Sequence, residues 1–107
     1  MKNIINNTKH IAHEHLKGFG FADEQITPLV EMGIKNLTET LTNLKILLDD
    51  ESLSLEKLDD ALHAIKGLLL QLGNADLAEA LNAIRLDLSN PNTVTSISKL
   101  FFDNTEK

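Results

Sequence analysis

The chain has 107 residues, 42% of them hydrophobic, and no cysteine, which suits one domain with a modest core and excludes disulfides, thiolate metal sites and cysteine nucleophiles. A net charge of -6 argues against nucleic-acid binding by phosphate neutralisation and against a polybasic membrane anchor. No apolar run reaches the roughly 18 residues of a membrane span, and MKNIINNTKH lacks the apolar stretch of a signal peptide, so a cytoplasmic protein is expected. Leucine is abundant, valine scarce, and tyrosine and tryptophan are absent, which favours helix over sheet.

Residues 1 to 7 read as a frayed N-terminus. Thr8 to Lys17 predicts a short helix, ended by Gly18 and Gly20, with Ile11, Leu16, Phe19 and Phe21 as its apolar contacts. It is too short to stand alone and is expected to pack as a lid. The second helix starts between Asp23 and Pro28, with Asp23 or Thr27 as N-cap and Pro28 in the first turn, and runs to about Leu48. Val30, Ile34, Leu37, Leu41, Leu44 and Leu48 give it a seam stepping by four and three. Gly33 within it suggests a close helix crossing. Asp49 to Ser52 make a turn.

The third helix spans Ser54 to Gly73, capped by Ser54 and ended by Gly73. Its stripe is Leu55, Leu58, Leu62, Ile65, Leu69 and Leu72. Asn74 caps a fourth helix, Ala75 to about Leu88, with Leu77, Leu81, Ile84 and Leu88 inward. The short Gly73-Asn74 link makes these two helices antiparallel neighbours. After the break at Ser89 to Asn92, a fifth helix turns Val94, Ile97 and Leu100 or Phe101 inward, and a loose tail DNTEK follows. The fold class expected is all-α: an up-down-up-down four-helix bundle over about 23–103, with a short extra N-terminal helix over about 8–17. No internal repeat or Gly-rich phosphate loop occurs.

One polar constellation stands out. At about 100° per residue, His63 falls opposite the apolar stripe of its helix, on a face shared with Glu56, Asp59, Asp60, Lys66, Gly67 and Leu70. A neutral imidazole is a nucleophile, and its ordinary pKa of about 6.5 leaves it mostly neutral at pH 7. Lys66 at i+3 can stabilise an incoming anionic group, and Gly67 at i+4 leaves bare backbone for close approach. Either Asp59 or Asp60, one turn before, or Asn82 or Arg85 from the fourth helix, is placed to orient the ring. His10, His13 and His15 form a second group, in which His10 with His13 or Glu14 has metal-ligand spacing. Without an HExxH motif this group reads as a surface cluster, and no metal or cofactor is expected.

His63-Ala64-Ile65-Lys66-Gly67 followed by Gly73 resembles the HxxKGxxxxxG pattern of histidine-containing phosphotransfer (HPt) domains, and the likeness extends over roughly residues 23 to 103. The two positions after Gly67, usually small in that family, are Leu68 and Leu69 here. The resemblance implies a monomeric phosphorelay intermediate with His63 as phosphoacceptor, through the ring nitrogen remote from the backbone. Lys66 would stabilise charge and Gly67 would give access. The implied partners are a response-regulator receiver domain, a sensor histidine kinase, or both, docking over Leu70, Gly67 and Asp59, with Mg²⁺ held by the receiver. No independent kinase or hydrolase activity is implied. The alternatives are a non-catalytic helical adaptor for a receiver or another helical protein, and the phosphoacceptor module of a larger chemotaxis-type kinase.

Overall fold

The structure, a computed structural model, describes residues 2–102; the predicted loose tail lies outside the described residues. Five helices follow in order: α1 (Lys2–Lys17), α2 (Asp23–Leu48), α3 (Leu55–Gln71), α4 (Ala75–Arg85) and α5 (Thr93–Phe101). There is no strand among the described residues, so the chain is all-helical as its composition predicts. Helices consecutive in sequence pack on one another throughout. No helix of the described residues is long and apolar enough to cross a membrane.

Helix α1 begins at Lys2, not near Thr8, so residues read as frayed are helical. Asn6 and Asn7 are poor helix formers, but burial outweighs their propensity. Thr8 and Ala12 are buried, and Ile4, Ile5 and Leu16 pack against the core. Phe19 and Phe21, expected to pack inward, are 69% and 41% exposed. The chain turns through Gly20, at φ 92°, and both phenylalanines leave the phase of the α1 face.

Helix α2 is preceded by Ala22 as N-cap, rather than Asp23 or Thr27. Alanine has no capping oxygen, and the Ala22 N–H donates instead to Gln25 Oε1 at 3.0 Å. Thr27 turns back, its Oγ1 donating to the Asp23 carbonyl at 3.1 Å. Pro28 therefore sits in the second turn, where it withholds one donor from the exposed start of the helix. Ile26, Val30, Leu37, Leu41 and Leu44 are buried, while Ile34 and Leu48 pack at the edge. A Cβ at Gly33 would lie 2.5 Å from Leu72 Cδ2, so the close crossing expected there is with the end of α3.

Ser54 caps α3, its Oγ accepting from the Lys57 N–H at 3.1 Å. Leu58, Leu62, Ile65 and Leu69 are buried, each contributing roughly 1.5–3 kcal/mol. Leu55, expected inward, is 53% exposed, because α4 ends at Arg85, level with His63, and does not reach the first turn of α3. The α3–α4 corner closes by two bonds: Asn74 N–H to the Leu69 carbonyl, 2.8 Å, and Gly73 N–H to the Leu70 carbonyl, 3.1 Å. This pattern requires left-handed backbone at the residue after the cap, and Gly73 has φ 84°. Asn74 then starts α4, its Oδ1 accepting from the Leu77 N–H at 3.3 Å. Its Nδ2 donates to the buried Thr8 Oγ1 at 2.9 Å, which ties α1 to the corner.

Helix α4 ends at Arg85 rather than near Leu88. The freed carbonyls of Asp87 and Leu88 accept from Thr93 Oγ1 at 3.1 and 3.3 Å, so a side chain of α5 replaces further helix. Thr93, Ile97 and Phe101 form the buried row of α5. That i, i+4, i+8 row displaces Val94, expected inward, to the rim, where it is 41% exposed.

Candidate functional site

The polar face of α3 meets α4 along an antiparallel seam. His63 is exposed there, while Lys66 and Asp59 are half-buried. Each is engaged by α4. Arg85 Nε donates to Asp59 Oδ1 at 2.8 Å, and Arg85 Nη1 lies 3.2 Å from His63 Nδ1. Lys66 Nζ donates to Asn82 Oδ1 at 3.1 Å. Of the four residues placed by sequence to orient the ring, Arg85 is the one at the imidazole. Asn82 steadies the lysine, Asp59 steadies the arginine, and Asp60 is exposed on the rim.

These partners follow from the corner. His63 lies eleven residues before Asn74 and Arg85 eleven after it; Lys66 and Asn82 are each eight away. Two antiparallel helices rise equally per residue, so positions equidistant from their link stand level. That symmetry is the sequence signal that selects Arg85 and Asn82 from the polar residues of α4.

The Arg85 hydrogen bond holds the Asp59 carboxyl below its ordinary aspartate range; partial burial opposes this shift, and the charges of Arg85 and His63 add to it. A depressed folded-state value means a contribution present above the ordinary range and lost as pH falls through the lower folded value. With Asp59 at 42% side-chain exposure, solvent screens that contribution. Arg85→Ala is therefore expected to return the Asp59 titration, followed by carboxyl-carbon NMR, upward to the ordinary aspartate range. A titration curve identical to wild type would dissociate the carboxylate from the guanidinium.

Gly67, one turn past His63, has open space above it: a Cβ there would meet nothing within 4 Å. Leu70, a turn further, is 50% exposed. Leu68, beside Gly67 in sequence, is half-buried and packs on the core. Three surface clefts, lined from α2, α4 and α5, contain no residue of α3. The imidazole thus stands on an open helix face, flanked by one arginine and one lysine.

The histidines of α1 do not assemble into a site. His13 reaches toward Glu14 at 3.8 Å and Asp23 at 3.6 Å. His15 stacks edge-on against Phe19, with ring centroids 5.1 Å apart, and lies against Gly73. No group of three or more His, Asp or Glu side chains is placed to hold a metal among the described residues.

No protein-family model, curated protein or solved structure matches the chain.

Proposed function

We propose that the chain is an HPt-like phosphorelay intermediate: His63 accepts a phosphoryl group from the phospho-aspartate of a receiver domain, or from a sensor kinase, and passes it to another receiver aspartate. In accepting, Nε2 forms the N–P bond as the acyl-phosphate P–O bond breaks and the aspartate carboxylate is released. Lys66, one turn past His63 on the polar face of α3 and held by Asn82, suits the charge spread over a transferring phosphoryl group. In the same reading α2 to α5 form the up-down-up-down bundle, with α1 packed on it as an additional helix. Short links and the packing of each helix on the next support that arrangement.

The observation that carries the reading is the open space over Gly67. A mid-helix glycine costs about 1 kcal/mol relative to alanine. No neighbouring atom requires a glycine there, so the cost fits a surface that must admit a partner beside His63. The exposure of the imidazole fits a macromolecular donor, which brings its own pocket and its own Mg²⁺. The direct experiment incubates the chain with a receiver domain prephosphorylated by a small donor. Acid-labile, base-stable label on the chain is expected; label that stays on the receiver or goes only to water would refute the relay.

Two substitutions probe the docking face. Gly67→Gln is expected to leave the melting temperature level or slightly raised while suppressing transfer, since the longer side chain fills the approach beside His63. Normal transfer by this variant would deny the glycine its role in access. Leu70→Asp is expected to weaken receiver binding about tenfold or more, because burying one leucine is worth roughly 1.5–3 kcal/mol. Half-exposed as it is, Leu70 should tolerate the change in a thermal melt. Unchanged affinity in a titration would remove Leu70 from the interface.

A further inference from the structure

Arginine carries only N–H donors and has no lone pair to offer. At 3.2 Å from Arg85 Nη1, His63 Nδ1 therefore accepts. A neutral imidazole has one accepting nitrogen and one that bears the proton, so this contact leaves the proton on Nε2. In that tautomer Nε2 has no in-plane lone pair and cannot attack phosphorus. The guanidinium is firmly held, its side chain only 20% exposed and its Nε donating to Asp59 at 2.8 Å. The charged groups around the ring are Asp59, Asp60 and Lys66 on its own helix and Arg85 from α4. Remove Arg85, and the Asp59 carboxylate, at i−4, becomes free to accept from a protonated Nδ1. The arginine thus occupies both the ring nitrogen and a neighbouring carboxylate that would favour the reactive tautomer.

We infer that Arg85 is a positioning residue that locks His63 in the Nε2–H tautomer and keeps its phosphoacceptor nitrogen unreactive until a partner draws the guanidinium aside. The lock rests on the geometry, and its regulatory meaning rests on the phosphorelay reading. When the lock opens, the proton moves to Nδ1 and Nε2 gains its lone pair. Nε2 then bonds to phosphorus as the donor's P–O bond breaks. The proton is afterwards lost from Nδ1 to solvent, and the recovered Nδ1 lone pair again matches Arg85. In that product the unprotonated ring is a poor leaving group, so the same arginine retards hydrolysis of the N–P bond. The carboxylates of a receiver's acidic pocket compete with Asp59 for the guanidinium, which makes the lock one that a receiver can open.

The test uses long-range proton–nitrogen NMR of the full chain, together with its phosphorylation by phosphoramidate, a small donor that needs no protein partner. In wild type the neutral ring should show its lone pair on Nδ1. In Arg85→Ala the population should shift toward Nδ1–H, and labelling by phosphoramidate should rise by about tenfold, the scale of one charge-assisted hydrogen bond. Arg85→Lys, which keeps a cationic donor, should hold the wild-type tautomer, and this separates the lock from general damage to the seam. Should Arg85→Ala lose helicity, Asp59→Asn provides the second arm: it leaves Arg85 at the ring without the competing carboxylate and should keep the Nε2–H form. A wild-type ring protonated on Nδ1, an unshifted tautomer in folded Arg85→Ala, or slower labelling of that variant would each overturn the lock. A tautomer shift as expected, with no receiver able to exchange a phosphoryl group with His63, would remove the relay and leave the lock in place.

Discussion

A chain carrying His63→Gln should take up no acid-labile label from a phosphorylated receiver. The other histidines stand in different surroundings. His13 faces two carboxylates, which repel an anionic phosphoryl group, and His15 is packed between Phe19 and the backbone of Gly73. His10 is exposed on α1, with no residue of α4 bonded to it. Only His63 has an arginine and a lysine fixed across a helix seam. Glutamine is close to histidine in size, and its amide oxygen can still accept from Arg85, so the seam should survive. The position is exposed, and such substitutions usually change stability by no more than about 0.5 kcal/mol. The expected result is therefore complete loss of label with helicity and melting temperature unchanged. Label persisting in the variant would move the acceptor to α1.

Gly73→Ala should cause one of the largest losses of stability from a single methyl group anywhere in this chain. Its φ of 84° lies where an L side chain is strained by roughly 1–2 kcal/mol. The added Cβ would also stand 2.5 Å from His15 Cγ, 2.7 Å from His15 Cβ and 2.9 Å from His15 Nδ1, distances at which something must move. The His15 Cβ is set by the backbone of α1, so rotating the imidazole does not relieve the collision. Either α1 withdraws or the corner changes its turn. Together these should cost roughly 2–4 kcal/mol, a drop of about 10 °C or more in melting temperature for a domain of this size. His15→Ala in the same chain should recover only part of the loss, since two of the three close atoms go and the Cβ stays. A melt within about 1 kcal/mol of wild type would show that the corner does not need left-handed backbone.

Much of this was legible in sequence wherever one rule acted alone. The spacing of Leu58, Leu62, Ile65 and Leu69 marked the inner face of α3, and those residues are buried. His63, Lys66 and Gly67 were found by the complement of that stripe. Sequence reading failed where a distant partner decided the outcome. Asn6 and Asn7 look like a frayed end until Asn74 supplies a partner for the neighbouring Thr8 from 66 residues away. Leu55 and Val94 are apolar and in phase, yet each lies at the first turn of a helix, where the neighbouring helix gives no cover. The tether of Lys66 to Asn82 was not foreseen, and the ring-orienting residue stayed open among four candidates. The choice required the register between α3 and α4, which periodicity within one helix does not contain.

Asn74 also imposes an order on assembly. Its N–H and its Oδ1 serve neighbours in the sequence, Leu69 and Leu77, and those two bonds can form as soon as the corner does. Its Nδ2 waits for Thr8, and closing so long a loop is entropically unfavourable until α2 and α3 have already brought the ends together. The Thr8–Asn74 bond is then expected to close after the α3–α4 corner has formed and to be among the first contacts to reverse. In native-state hydrogen exchange the amides of α1 should open as one unit, at a lower free energy than the Leu77 amide beside them. Each such opening lifts His15 from the Gly73 backbone and leaves the α3–α4 seam, with its arginine and histidine, intact.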